Sequence, residues 1–337
     1  MNNTLTALKG VRVGHSTHRD KLTGTTVVVF EKDFPMAYKT YGGSPGTFNT
    51  DAMQSGKSDV RGHSIFISGG SWTGLQAGGT IMRRLIEEKI GFTSGVNINP
   101  NLTGAIVFDL GMHISKFDPE FGAEAFDNVT TGPVKGGNVG AGTGTSVGKF
   151  QHLDKGKKNP AMKAGVGSAR INLEKGIIVC ALSVVNALGN VVRPDGSILA
   201  GNRDDKKKFK TFEDTSNFVT KDIMNTTITI VGTNFDLQNR ENYERIAHIA
   251  SHGQVRAINP VHTAADGDTV FVFSNEEIKK PFVPQDDLFW PNFTVDIIGQ
   301  AAARAVQESI YDACRQAETI KFAGAYQGVI PSSKDYK

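Results

Sequence analysis

Apolar and β-branched runs, broken by glycine-rich turns, set the pattern of this chain. Val11–His15 and Thr25–Phe30 read as short strands joined by a polar turn. Gly42–Thr47 reads as a loop, and His63–Ser68 as a third strand ending in Gly69-Gly70-Ser71. Beyond it Leu75, Ile81, Met82 and Leu85 recur at helical spacing, with Arg83, Arg84, Glu87 and Glu88 outside. Gly104–Leu110 predicts a further buried strand. Met162–Asn172 and Gly176–Asn186 predict a hairpin, its second strand apolar enough to be buried on both faces. A strand at 226–233 is followed by a helix over Gln238–His252, with Tyr243, Ile246, Ala247 and Ala250 as its inner stripe. Asp266-Gly267-Asp268 turns into another apolar strand, and a last helix is predicted over Asn292–Ala317. Runs of strands with a few helices predict stacked sheets covered by helices, not a doubly wound parallel sheet.

Charge and composition narrow the classes. The 337 residues carry a formal net charge of +3, too little to argue for nucleic acid or a membrane surface. No apolar run approaches the ~20 residues of a membrane span. Met1–Leu5 lacks a basic stretch leading into an apolar one, so no signal peptide is expected. Cys180 and Cys314 each lie in an apolar segment and outside any metal-ligand spacing. They read as buried thiols of a cytoplasmic protein, and no metal site is expected.

The glycine-richest stretch, Gly136–Lys149, ends Gly-Lys-Phe and has Thr143 where a phosphate-binding loop needs its first glycine. It is better read as backbone able to approach a substrate, ending in one lysine. The strand–glycine turn–helix unit around Gly69-Gly70 also departs from the nucleotide-binding patterns. Asn186 ends a buried strand, facing either a turn or a site. Asp266 and Asp268 can orient a hydroxyl and an ammonium, or simply form an Asp-Gly turn; the acidic spacing of a calcium loop is missing.

One junction draws these pieces together. Residues 202–222 are charged and poorly patterned, an expected exposed linker. Directly after it, Asn225-Thr226-Thr227-Ile228 opens the β-branched strand. If the chain is cut between Asn225 and Thr226, the threonine gains an α-amine beside its hydroxyl. With a reference pKa of about 7.7–8.0, that amine can accept the hydroxyl's proton near neutral pH. The alternative is an ordinary strand entered from a loop.

The set of stretches decides between them. Gly10–His15, Ser68–Ser71, Phe108–Gly111, Gly140–Lys149, Asn225–Ile228, Pro260–Thr263 and Asp266–Thr269 occur together and in this order. In this the chain resembles the L-aminopeptidase/D-esterase (DmpA-like) peptidases, which include β-aminopeptidases and the 6-aminohexanoate (nylon) oligomer endohydrolases. The resemblance runs from about Leu8 to Ala317. It implies a four-layer α/β/β/α sandwich forming a single catalytic domain over 1–337, with no metal or cofactor. It implies self-cleavage into an α chain 1–225 and a β chain 226–337, with homo-oligomers such as tetramers. It implies Thr226 as nucleophile, Asp266 and Asp268 as its orienting acids, Lys149 as their electrostatic partner and Asn186 as an oxyanion donor. Phe108 stands where relatives often have tyrosine, and Ile106 where aminopeptidase relatives use an acid nearby to hold the substrate's ammonium. That favours a site that does not insist on a free amino terminus. The expected activity is hydrolysis of short linear amides: peptides, β-peptides or 6-aminohexanoate oligomers. The alternatives are an aminopeptidase/D-esterase, an acyltransferase using the same ester, and an unprocessed binding or scaffold protein.

Overall fold

The strand-rich pattern folds into two five-stranded sheets lying face to face. A computed structural model describes residues 2–58, 61–114, 116–151, 160–204, 206–214, 224–279, 293–322 and 328–336. The elements used below begin with β1 (Val11–His18), β2 (Thr23–Phe34), β3 (Met36–Thr40), β4 (Thr47–Phe48), β5 (Gly62–Ser68) and α1 (Ala77–Glu87). They continue with β6 (Leu102–Ile106), α2 (Phe121–Asp127), β7 (Val166–Asn172), β8 (Ile178–Asn186) and β9 (Thr226–Phe235). Last come α3 (Arg240–Ala257), β10 (Thr269–Ile278) and α4 (Phe293–Gln316).

The first sheet has the order β1-β2-β5-β6-β4 and the second β7-β8-β9-β10-β3. The chain changes sheets at Pro35, between β2 and β3. Proline has no N–H to give a ladder, which suits the end of one strand and the start of another.

Alternation along the strands builds three cores. Val13, Val28, Ile65 and Ile67 of the first sheet meet Cys180, Leu182, Ile228, Ile230 and Phe271 of the second. The opposite face of the first sheet puts Val27, Val29 and Phe66 under Ala77, Ile81 and Leu85 of α1. The opposite face of the second puts Val179, Ala181 and Val231 under Ile246 and Ala250 of α3 and Ile298 and Ala302 of α4. A period of two sends neighbouring side chains to opposite faces, so each sheet needs cover on both. The result is the expected α/β/β/α sandwich. All nine residues of β8 are buried, as the apolar run predicted.

Several boundaries differ from the sequence reading; the strand expected over Met162–Asn172, for one, is split into Met162–Lys163, paired with Ser146–Val147, and Val166–Asn172. The strand expected to reach Leu110 ends at Ile106. Val107 N–H still reaches Ser68 O, but the Phe108 carbonyl then turns away to accept from Asn186. α3 starts at Arg240, because Gln238 has φ +70° and the Asn239 side chain caps the helix by accepting from Asn242 N–H. Of the expected exposed linker 202–222, Asn202 and Arg203 are buried, and Arg203 forms a β-bridge with Phe209. The exposed part starts beyond them, at 206–208; residues 205 and 215–222 lie outside the described residues. So does Asn292, the expected start of α4. No helix among the described residues is long and apolar enough to cross a membrane.

Candidate active site

Strand direction gathers the chemistry at one end of the second sheet. β8 and β9 are antiparallel, with Asn186 opposite Thr226. β9 and β10 are parallel, with Ile228 opposite Thr269. The end of β8, the start of β9 and the turn before β10 therefore meet.

Thr226 is buried at the head of β9, and its hydroxyl donates to the carbonyl oxygen of Asn225. Gly267 N–H donates to the same oxygen at 2.8 Å. Asn225 N–H donates to Ala265 O at 2.8 Å, so this peptide unit is stitched to the acidic turn from both sides. The Asn225 side chain is fully buried, and neither its Oδ1 nor its Nδ2 has a hydrogen-bond partner among the described residues.

The acidic turn faces this junction. Asp268 Oδ1 accepts from Thr227 N–H at 2.5 Å. Its Oδ2 accepts from His262 N–H at 3.1 Å and from His262 Nδ1 at 2.8 Å. Asp266 Oδ2 accepts from the Thr263 hydroxyl and, at 3.1 Å, from Thr263 N–H. Its Oδ1 accepts from Leu188 N–H at 3.3 Å. Burial, and next the neighbouring Asp268, push the Asp266 carboxyl up to about 6. The loop after β3 closes over the turn: Ser44 N–H reaches Asp266 O and Tyr41 N–H reaches Asp268 O, both at 2.8 Å. Gly42 is required there, since a Cβ would sit 2.1 Å from Asp266 O.

Lys149 arrives on the glycine-rich stretch, which is zipped to the segment after β8 by Gly148 N–H to Gly189 O and Lys149 N–H to Leu188 O. Its ammonium donates to Asn186 O at 2.9 Å. Withdrawal from water pushes it down to about 7, while the Asp266 and Asp109 carboxylates pull it back up. Asn186 accepts from Ser146 N–H and gives one amide hydrogen to Phe108 O at 2.7 Å. Nδ2 carries a second hydrogen. All seven residues singled out in the sequence, Asn225, Thr226, Lys149, Asn186, Asp266, Asp268 and Phe108, thus converge, with Phe108 contributing its carbonyl.

Three participants, Gly267, His262 and Thr263, had no role assigned from the sequence. Gly267 acts through its N–H alone. His262 and Thr263 hold the two acids; the order His-Thr-x-x-Asp-x-Asp, donors just before acids, could have marked them. Asp109 is fully buried, accepting from Thr23 Oγ1 at 2.6 Å and Gly70 N–H at 3.2 Å, and burial pushes it up to about 7. Among the described residues, no group of three His, Cys, Asp or Glu side chains is arranged to hold a metal ion.

The sandwich has counterparts among solved structures. The L-aminopeptidase D-Ala-esterase/amidase from Ochrobactrum anthropi, a variant of the Ntn-hydrolase fold, superposes with a TM-score of 0.68 at 18% identity. The superposition covers 98% of this chain and 90% of that one, so the two share this fold. Residues 3–327 match peptidase family S58, and the chain belongs to that family. An uncharacterized aminopeptidase of Mycobacterium leprae is 30% identical over 98% of this chain and 95% of its own. The 6-aminohexanoate-oligomer endohydrolase of Kocuria sp. is 25% identical over 91% of this chain and 84% of its own. The protein is a hydrolase of amide bonds.

Proposed function

We propose that the protein is an autoprocessing amide hydrolase whose nucleophile is Thr226. The observation that carries this reading is the Thr226 hydroxyl lying against the Asn225 carbonyl while Gly267 N–H polarises the same oxygen. Thr226 Oγ1 adds to the Asn225 carbonyl carbon, and the hydroxyl proton passes to the departing Thr226 nitrogen. The amide C–N bond breaks as the ester C–O bond forms. Water then cleaves the ester, leaving the Asn225 carboxylate and a Thr226 with free amine and hydroxyl.

Turnover repeats the chemistry on an external amide. The α-amine takes the hydroxyl proton and hands it to the leaving amine, and water resolves the acyl-enzyme. Gly267 N–H and the second hydrogen of Asn186 Nδ2 serve the developing oxyanion, a role in which one donor is worth ~10²–10³ in rate. Asp268 orients the new amine, since it already holds the adjoining Thr227 N–H. Asp266 orients the hydroxyl, Lys149 balances the two acids, and Phe108 borders the substrate. The substrates are short linear amides: peptides, β-peptides or 6-aminohexanoate oligomers. Processed chains assemble as homo-oligomers, with the tetramer as the expected form. Two buried free thiols fit a cytoplasmic setting.

Intact mass under denaturing conditions tests the proposal. Masses matching 1–225 and 226–337 are expected, followed by amide hydrolysis in a screen of peptides, β-alanyl peptides and nylon-6 oligomers. A single mass for all 337 residues after long incubation overturns it.

A further inference from the structure

Two consecutive residues, His262 and Thr263, hold the two acids of the site in the same way. Each gives a backbone N–H and a side-chain donor to one carboxylate oxygen: His262 to Asp268 Oδ2 and Thr263 to Asp266 Oδ2. The backbone is bent for this purpose. His262 has φ +56°, a left-handed conformation uncommon among residues with a side chain but one that His, like Asn and Asp, adopts more readily than most. Such a bend can turn successive N–H groups toward anions, making a nest. The His262 ring stacks on Tyr41 with centroids 5.1 Å apart, which fixes its plane. With Nδ1 donating to Asp268, Nε2 is left buried and without a partner among the described residues. A ring that makes one hydrogen bond, to a carboxylate, at the expense of its other nitrogen is aimed at that carboxylate.

We infer that His262 and Thr263 form a positioning clamp that holds Asp268 and Asp266 side by side and aimed at Thr226. Two buried acids separated only by Gly267 repel one another, and one would otherwise keep its proton. Four donors offset that repulsion. The inference rests on Thr226 as nucleophile. The charged or titratable groups around the pair are Lys149 from the glycine-rich stretch, the His262 ring itself, Tyr41 from the loop after β3, and His248 of α3 behind Tyr41.

The test compares removal and restoration of each donor in the full-length protein. His262→Gly keeps the left-handed backbone and removes the ring, whereas His262→Asn tolerates that backbone and restores a donor. Thr263→Val removes the hydroxyl and Thr263→Ser returns it. Gly and Val are expected to lower both self-cleavage and kcat by about ten- to a hundredfold, as for a lost bond to a charged group, with KM little changed. Asn and Ser are expected to recover most of that loss. In Thr263→Val the acidic limb of the kcat profile should move to higher pH, because Asp266 loses a donor that favours its ionised form. Wild-type rates in the Gly and Val variants overturn the clamp. So do losses that Asn and Ser fail to recover while melting temperature falls and the limb stays in place. Thr226→Ala run in parallel separates the two readings: activity there overturns the nucleophile, whatever the clamp variants do.

Discussion

Buried carboxylates occur in two places where the sheets end, and they are held differently. Asp109, beyond the end of β6 in the first sheet, accepts from Thr23 on β2 and from Gly70 N–H in the turn after β5. It ties three parts of that sheet together. Asp266 and Asp268, before β10 in the second sheet, are held by donors of their own turn and present their other oxygens to Leu188 and Thr227 N–H. One acid binds its surroundings together, while the other two are themselves bound and aimed. Burial raises both Asp109 and Asp266, so an elevated pKa alone does not separate architecture from chemistry. Position does: Asp268 accepts from Thr227 N–H, next to the strand-head threonine, whereas Asp109 joins Thr23 and Gly70 of the first sheet.

The sharpest break between the two places is expected at the nucleophile. Thr226→Ala should remain one 337-residue chain by denaturing mass and lose amidase activity, on the order of a millionfold as for other lost nucleophiles. Cleavage in that variant would point to a different nucleophile. Asp268→Asn comes next: self-cleavage and kcat should both fall by about a hundredfold, the scale of a lost acid–base partner. Wild-type rates for both would move Asp268 to the architectural side of the comparison.

Asp109 should respond through stability instead. Its folded pKa is raised, so the folded chain holds a proton that the unfolded chain has released between about pH 4 and 7. Stability from this group is therefore complete at low pH and declines as pH rises through that window. The slope is about 1.4 kcal/mol per pH unit for one proton. Asp109→Asn should remove that slope in urea unfolding midpoints at pH 5 and 7 while leaving kcat within about threefold, as for a substitution away from the chemistry. An unchanged slope would mean Asp109 is ionised in the fold. Asp266 bears on activity in the opposite direction along pH: its proton is held up to about pH 6, so kcat should decline below that value.

Much of this was legible along the chain because it is local. Apolar and β-branched runs marked β1, β2, β5, β8 and β9, and the threonine after a charged segment marked the head of β9. The layers followed from strands that needed cover on both faces. What stayed hidden depends on distant partners. Asp109 meets Thr23 across 86 positions, and the Asn186 amide meets Phe108 O across 78. Lys163 is an ordinary lysine in sequence, yet it is fully buried with its ammonium on Gly142 O and Ala164 O. Gly267 shows no side chain to read, and its N–H matters only because Asn225 pairs beside Asp266. The head of the expected linker is packed because Asn202 donates to Gly148 O, a contact its charged neighbours conceal.

The smallest effect tests the junction itself. The Asn225 side chain is buried with both polar atoms unmatched among the described residues. Unmatched buried groups of this kind destabilise by ~1–3 kcal/mol each, partly offset in an alanine variant by the small cavity left behind. In a Thr226→Ala background, which stays uncleaved, Asn225→Ala should therefore raise the melting temperature by a few degrees, roughly 2–4 °C per kcal/mol at this size or less. The gain measures how far the junction is held in an unfavourable state. The acidic turn binds the Asn225 backbone on both sides while leaving its side chain unmatched. An unchanged or lower melting temperature would mean that water matches the amide.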